Sequence, residues 1–156
     1  MAVVGKDLAL ITAGVPGYNN SMTILYGGIG KLWYKDVYFA FVKPERYTYE
    51  FIKNNDYFTV SYFPDEYNHI HEIFGYQSGR DLDKVKETGL TPEVLHHGMA
   101  FKEANEIFVC KKMYMKQMDP DFIPPEVMAM YNDPKNLIYG QTHYLVVGEV
   151  EELIQR

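Results

Sequence analysis

The run Val37–Val42, with the sequence VYFAFV, constrains the fold of this chain more than any other stretch. Its residues are apolar and mostly β-branched or aromatic, which predicts a strand that is covered on both faces. Lys43 and Pro44 follow directly and end it. A strand of this kind belongs in the interior of a sheet, so we expect a sheet-rich fold built around it.

The rest of the chain alternates strand-like runs with short helical patterns. Strands are predicted at Asp7–Thr12, Ser21–Tyr26, Tyr57–Tyr62, Glu106–Met118 and Gly140–Ile154. Helices are predicted over Tyr47–Asn54, Pro64–Phe74, from a cap at Asp81 to about Glu87, and over Pro125–Tyr131, whereas Glu93–Phe101 is expected to be irregular. The fold class is therefore mainly β, a small closed barrel with inserted helices, because closure removes exposed sheet edges.

The size and composition of the chain fit one packed domain over residues 1–156. With 47% hydrophobic residues the sequence can bury a core without disulfides. The 14 Tyr and 9 Phe are many for 156 residues, and they suggest an aromatic contact surface as well as a core.

Charge and side-chain spacing exclude several classes of function. A net charge of −6 argues against general nucleic-acid binding, and no run of about 20 apolar residues could span a bilayer, so a soluble, cytoplasmic protein is expected. Cys110 is the single cysteine, and we expect it to be a buried free thiol. His69 and His71 would point in different directions from a helix, and the pair His96 and His97 is no stronger, so no metal site is predicted.

The glycines of Gly27–Lys31 suggest a nucleotide-binding loop, but the spacing does not support one. Leu25 and Leu32 occupy the positions that a P-loop requires as Gly and Ser or Thr, and Trp33 stands where a dinucleotide fingerprint has its third Gly. The glycines instead indicate a bulge, a barrel corner or a close approach of a ligand to the backbone.

Two separate segments carry cations and hydroxyls that could hold one anion. Arg46 and Thr48 lie where a strand gives way to a helix, and Ser78, Arg80 and Lys84 occur in the sequence QSGRDLDKVK. Each segment alone also has a plainer interpretation. The first could be a solvated helix cap with Arg46 in a surface ion pair, and the second a solvated loop that starts a helix.

Four ordered blocks together resemble the flavin reductase-like family of FMN-binding split-barrel proteins. They are Asn20–Ile24 (NSMTI), Gly27–Trp33 (GGIGKLW), Lys43–Thr48 (KPERYT) and Ser78–Lys84 (SGRDLDK). The run His143–Val150 also resembles the closing strand of that family, so the resemblance covers nearly the whole chain. Four blocks in the right order are far more specific than any one of them.

The resemblance implies an antiparallel, Greek-key-like split barrel that forms a homodimer and binds FMN non-covalently near the subunit interface. It implies that Arg46 and Thr48, with Ser78, Arg80 and Lys84, hold the phosphate, and that Ser21, Met22 and Thr23, beside Asn20, lie along the isoalloxazine. The full predicted set of cofactor-binding residues is Asn20, Ser21, Met22, Thr23, Arg46, Tyr47, Thr48, Ser78, Gly79, Arg80 and Lys84. No side chain is expected to act as a catalytic acid, base or nucleophile, because the cofactor carries the chemistry.

Three functions remain open at this level. The first is an NAD(P)H-dependent flavin reductase, in which NAD(P)H passes hydride to flavin N5. The second is an FMN-binding electron carrier that a redox protein reduces. The third is a split-barrel protein that has lost its flavin.

The chain also departs from the family pattern at three positions. Lys43 replaces the usual Arg, Glu45 replaces a small residue, and Tyr26 stands where Trp is common. Glu45 is next to the predicted phosphate site, where an inward-facing carboxylate would repel the phosphate, so we expect this side chain to point to solvent.

Overall fold

One seven-stranded antiparallel sheet forms the body of the protein. The computed structural model describes Val4 and residues 6–156. The strands are β1 (Ala9–Val15), β2 (Tyr18–Ile24), β3 (Gly27–Leu32), β4 (Lys35–Val42), β5 (Tyr57–Tyr62), β8 (Glu106–Gln117) and β9 (Tyr144–Gln155), in the spatial order β2-β1-β5-β8-β9-β4-β3. The predicted mainly β architecture is confirmed. The sheet has two edges, β2 and β3, so its strand pairing stays open where a closed barrel was expected.

Short helices and one hairpin complete the described chain. The α-helices are α1 (Thr48–Asn54), α2 (Ile70–Tyr76), α3 (Lys84–Thr88) and α4 (Pro125–Asn132), with single 3₁₀ turns at Asp65–Tyr67 and Pro120–Phe122. The hairpin pairs β6 (Pro92–Val94) with β7 (Met99–Phe101). No helix in the described part of the chain is both long and apolar enough to cross a membrane.

The predicted central strand is β4, and its two faces differ. Tyr38, Ala40 and Val42 are buried, whereas Phe39 and Phe41 are only partly covered. The expectation of complete cover on both faces was wrong, because the rings of Phe39 and Phe41 on one face are only partly covered by other parts of the described chain. Inside, the hydroxyl of Tyr38 lies 2.7 Å from that of Tyr62 in a hydrogen bond between two buried phenols.

The glycine-rich link predicted between two strands is itself strand β3. It pairs with β4 from Gly27 to Leu32, and the two strands are joined by Trp33 and Tyr34, which both have positive φ. Two residues in that conformation match the twist of a tight hairpin. A side chain at Gly27 would collide with the carbonyl oxygen of Phe39, so close backbone packing explains the glycine better than a ligand does.

Several predicted boundaries were also wrong. The Pro64–Phe74 helix is divided into a 3₁₀ turn and α2, and Glu93–Phe101 contains the β6–β7 hairpin that was expected to be irregular. The cap of α3 is Asp83, whose side chain accepts a hydrogen bond from the backbone N–H of Lys86, and not Asp81. Cys110 is fully buried as predicted, and burial raises the pKa of its thiol.

Candidate functional site

Edge strand β2 lies at the centre of the candidate site. It pairs with β1 along one side, and its other side faces α1, α2 and the segment that leads into α3. This arrangement brings the sequence blocks at 20–23, 46–48 and 78–84 to one place, although the first and the last are about 60 residues apart.

Asn20 and Thr48 connect the first two blocks directly. The side-chain amide of Asn20 donates a hydrogen bond to the hydroxyl of Thr48 at 2.8 Å. Gly79 lies against the same amide, and a Cβ at this position would collide with the side-chain oxygen of Asn20. The third block can approach β2 only because residue 79 has no side chain.

Lys84 and Arg46 are two cations that lie beside each other next to β2. The ammonium of Lys84 donates to the backbone carbonyl of Ser21 at 2.8 Å and lies 5.6 Å from the centre of the Phe74 ring. The guanidinium of Arg46 donates to the carbonyls of Phe74 and Gly75 at 2.9 and 3.1 Å, at the C-terminal end of α2. Lys84 is buried, with 4% of its surface exposed.

Neither cation forms an ion pair with a carboxylate of the described residues. Burial lowers the pKa of Lys84 to about 8, with a further lowering by the charge of Arg46, and burial lowers the pKa of Arg46. Two neighbouring cations that are bonded only to neutral carbonyls form a site of unbalanced positive charge. Such a site can bind an anion.

Arg80 and Tyr47 lie at the rim of this site. The Arg80 guanidinium is 4.7 Å from the centre of the Tyr47 ring, donates to the Glu45 carbonyl and pairs with the Glu50 carboxylate at 3.1 Å. Its charge is therefore already balanced by Glu50. The hydroxyl of Ser78 accepts a hydrogen bond from the backbone N–H of Arg80 within a turn.

Met22 and Thr23 continue β2 beyond the cations. Met22 is buried in the core, with 3% of its surface exposed, and borders the same cavity as Thr23. The hydroxyl of Thr23 forms a 2.7 Å hydrogen bond with Nδ1 of His71, and burial lowers the pKa of His71 to about 4. His71 is therefore neutral at pH 7.

Two cavities adjoin β2. The polar cavity, of about 730 Å³, is lined by Asn20, Ser21, Tyr47, Gly79, Arg80 and Lys84 among others. The aromatic cavity, of about 570 Å³, is lined by Met22, Thr23, Tyr26, Phe41, Arg46, His71, Tyr76 and His143 among others. Thr48 and Ser78 line neither of them.

Sequence reasoning missed two residues of this site, His71 and His143. His143 bonds the hydroxyl of Tyr131 through Nδ1 at 2.5 Å, and burial and the charge of Lys43 lower its pKa to about 4, against a smaller opposite effect of Glu45. His71 was considered only as a metal ligand. No local pattern could have paired it with Thr23, which is 48 positions away.

The fold and the site together define an antiparallel split barrel with a buried cationic site beside its edge strand. The sequence model for the flavin reductase like domain matches residues 6–156, and the chain therefore belongs to that family. No match was found among the curated proteins.

Solved structures of similar fold come from several organisms. Flavoredoxin from Methanosarcina acetivorans is 18% identical with a TM-score of 0.73, over 96% of this chain and 68% of that one. An FMN-binding protein from Thermus thermophilus is 16% identical with a TM-score of 0.73, over 96% and 71%. A nitrilotriacetate monooxygenase component B homolog from Mycobacterium thermoresistibile is 14% identical with a TM-score of 0.71, over 96% and 69%. The predicted split-barrel fold is confirmed.

Proposed function

We propose that this protein binds FMN non-covalently and works as an NAD(P)H-dependent flavin reductase. The observation that carries the proposal is the pair Arg46 and Lys84, two cations beside each other with no carboxylate partner among the described residues. The phosphate of FMN is dianionic at neutral pH and would balance this charge. The aromatic cavity on the same strand has the largely apolar lining that an isoalloxazine needs.

When bound, FMN supplies the hydride and electron chemistry, and the residues of the chain bind and orient it. Arg46 and Lys84 hold the phosphate, and the Asn20–Thr48 hydrogen bond keeps β2 against α1 beside it. The backbone of Ser21–Thr23 would hold the isoalloxazine, and its N–H groups would stabilise negative charge on the polar edge of the ring. Neutral His71 fixes the Thr23 hydroxyl without adding a charge.

An activity assay tests this function. Purified protein is titrated with FMN, followed by flavin fluorescence, and then mixed with NADH or NADPH under air and with an added acceptor. We expect saturable FMN binding and steady oxidation of at least one nucleotide that depends on FMN. Binding without oxidation of either nucleotide would contradict the reductase.

A second candidate function is an FMN-dependent electron carrier that is reduced by a redox protein. It is favoured by the likeness to two structures described as flavoredoxins, from Methanosarcina acetivorans and from Desulfovibrio vulgaris (Miyazaki F). In this case dithionite or a reduced ferredoxin would bleach the bound flavin, while NADH and NADPH would leave its spectrum unchanged.

We also propose that the protein acts as a homodimer. Large apolar side chains remain exposed in the single chain, including Trp33 at 60%, Tyr34 at 103% and Phe122 at 88%. Exposed aromatic surface of this kind is typical of an interface. Sedimentation equilibrium should give twice the monomer mass of 18.1 kDa, and a monomer at micromolar concentration would contradict the proposal.

A further inference from the structure

The segment Leu137–Gln141, between α4 and β9, forms one wall of the aromatic cavity. Leu137 and Ile138 line this cavity together with Thr23 and His71. The segment itself buries little apolar surface, since Leu137 is 88% exposed and Tyr139 is 53% exposed. Hydrophobic packing therefore contributes little to its position, and its polar contacts must hold it in place.

Lys43 provides the first of these contacts. Its ammonium donates to the carbonyls of Ile138 and Tyr139 at 2.5 and 2.6 Å, and its side chain is only 13% exposed. It also lies 5.4 Å from the centre of the Tyr131 ring, on α4. A single side chain at the end of β4 thus fixes two consecutive backbone groups of the segment.

Glu45 provides the second contact. Its carboxylate accepts a hydrogen bond from the backbone N–H of Gln141 at 2.7 Å and lies 3.7 Å from the Lys43 ammonium. Gly140 has φ of +121°, and a Cβ there would collide with the Glu45 carboxylate. The absence of a side chain at residue 140 is what lets this carboxylate reach Gln141.

Lys43 and Glu45 are two of the three positions at which the sequence departs from the family pattern. The carboxylate of Glu45 is directed toward the segment, which explains how an acid is tolerated one residue from Arg46. Both departures therefore serve the same contact, and neither is needed to hold a phosphate.

We propose that Lys43 and Glu45 are positioning residues that fix Leu137–Gln141 as a wall of the aromatic cavity and so determine how well a nicotinamide donor is held there. This inference rests on the proposed reductase function. A donor that approaches a flavin beside Thr23 occupies the remaining space between β2 and this segment. If the segment moves, the donor loses contacts on one side, while the phosphate site below β2 keeps all of its own.

The test uses Lys43→Met and Glu45→Gln, with Lys43→Arg as the conservative variant. Lys35→Met and Glu149→Gln are matched controls, because they make the same changes in an ion pair with a 3.1 Å separation on β4 and β9. Hydrogen exchange of the peptide that covers Leu137–Gln141, the KM for NAD(P)H, kcat and FMN affinity are measured for each full-length protein.

We expect exchange in this peptide to become roughly tenfold faster and KM to rise roughly tenfold in both variants, as the loss of one or two charged hydrogen bonds implies. FMN affinity should fall by a smaller factor than KM rises, since the bonds of Arg46 and Lys84 at the phosphate site are untouched. Lys43→Arg, which keeps the charge and the donors, should resemble the wild type, as should both controls.

Two results would overturn the proposal. If exchange does not change, the two side chains do not hold the segment. If exchange rises while KM does not, the segment is held but has no part in binding the donor. A wild-type protein without FMN binding or nicotinamide oxidation would instead overturn the proposed function itself, and this outcome is distinguished from the others because it needs no variant.

Discussion

Arg46 and Arg156 both donate hydrogen bonds to backbone carbonyls, but their electrostatic surroundings are opposite. Arg156 donates to the carbonyls of Phe101, Lys102 and Ala104, and it also forms a two-point ion pair with Glu93, with N–O distances of 2.6 and 3.2 Å. Arg46 donates to two carbonyls, lies beside another cation, Lys84, and takes part in none of the ion pairs of the described residues.

The pKa shifts of the two arginines differ accordingly. The hydrogen bond with Glu93 raises the pKa of Arg156, whereas burial lowers the pKa of Arg46. A buried cation that only connects chain segments is normally paired with a carboxylate, because an uncompensated buried charge is costly. The Arg46–Lys84 site therefore bears a cost in stability that folding alone does not explain and that an anionic ligand would remove.

Replacing Arg46 should produce the largest effect on flavin binding. Arg46→Met removes a charged donor from the phosphate, and we expect FMN affinity to fall about 100-fold. Arg156→Met is the matched control, and it should leave FMN affinity unchanged. If the two variants bound FMN with equal affinity in a fluorescence titration, the missing carboxylate partner of Arg46 would have no role in flavin binding.

Introducing a carboxylate into the Arg46–Lys84 site should have the second largest effect on FMN affinity. In Asn20→Asp the new charge competes with the phosphate for the neighbouring cations, and we expect FMN affinity to fall about 30-fold. Asn132→Asp makes the same charge change on exposed α4 and should have no effect. An Asn20→Asp protein that binds FMN like the wild type would mean that the phosphate lies elsewhere.

Lys84 should make FMN binding depend on pH. Its pKa is about 8 in the free protein, and a bound phosphate raises it, so binding takes up a proton when the pH exceeds about 8. FMN affinity should therefore fall as pH rises above 8, and Lys84→Met should bind about tenfold more weakly at pH 7 without this dependence. Titrations between pH 7 and 10 would test both points, with Lys53→Met on exposed helix α1 as the control.

Breaking the ion pair between Arg156 and Glu93 should lower the free energy of unfolding slightly and should leave FMN affinity unchanged. Both partners are partly exposed, so Glu93→Gln should lower the free energy of unfolding by about 1 kcal/mol. Urea unfolding measures this change, and a flavin titration of the same variant is the counterpart to the Arg46 experiment. A loss of FMN affinity in Glu93→Gln would contradict the assignment of this pair to structure alone.

Much of this fold follows from local sequence, as β4 and β5 illustrate. Their β-branched and aromatic runs are bounded by Lys-Pro or by polar residues, and both strands lie where the pattern predicts. β3 was missed because Gly27, Gly28 and Gly30 have low strand propensity and are held in place by their pairing with β4. Tertiary contact decided the structure there, and no local signal indicates it.

The candidate site shows the same division. The blocks around Asn20, Arg46 and Lys84 could be selected from sequence, because their residue types and order match the family pattern. Which of these cations has a carboxylate partner could not be predicted from the sequence. Arg80 looks equivalent to Arg46 in the sequence, yet Arg80 pairs with Glu50 while Arg46 has no such partner in the described chain. Likewise, the role of Lys43 depends on carbonyls about 95 residues away.

The central claim, that the unbalanced cations hold the phosphate of a flavin, is tested most directly by comparing FMN with riboflavin at pH 7. The two ligands share the isoalloxazine and the ribityl chain and differ only in the phosphate. We expect FMN to bind at least 100-fold more tightly to the wild type, and this advantage should shrink to about tenfold or less in Arg46→Met. Equal affinity of FMN and riboflavin for the wild-type protein would contradict the account.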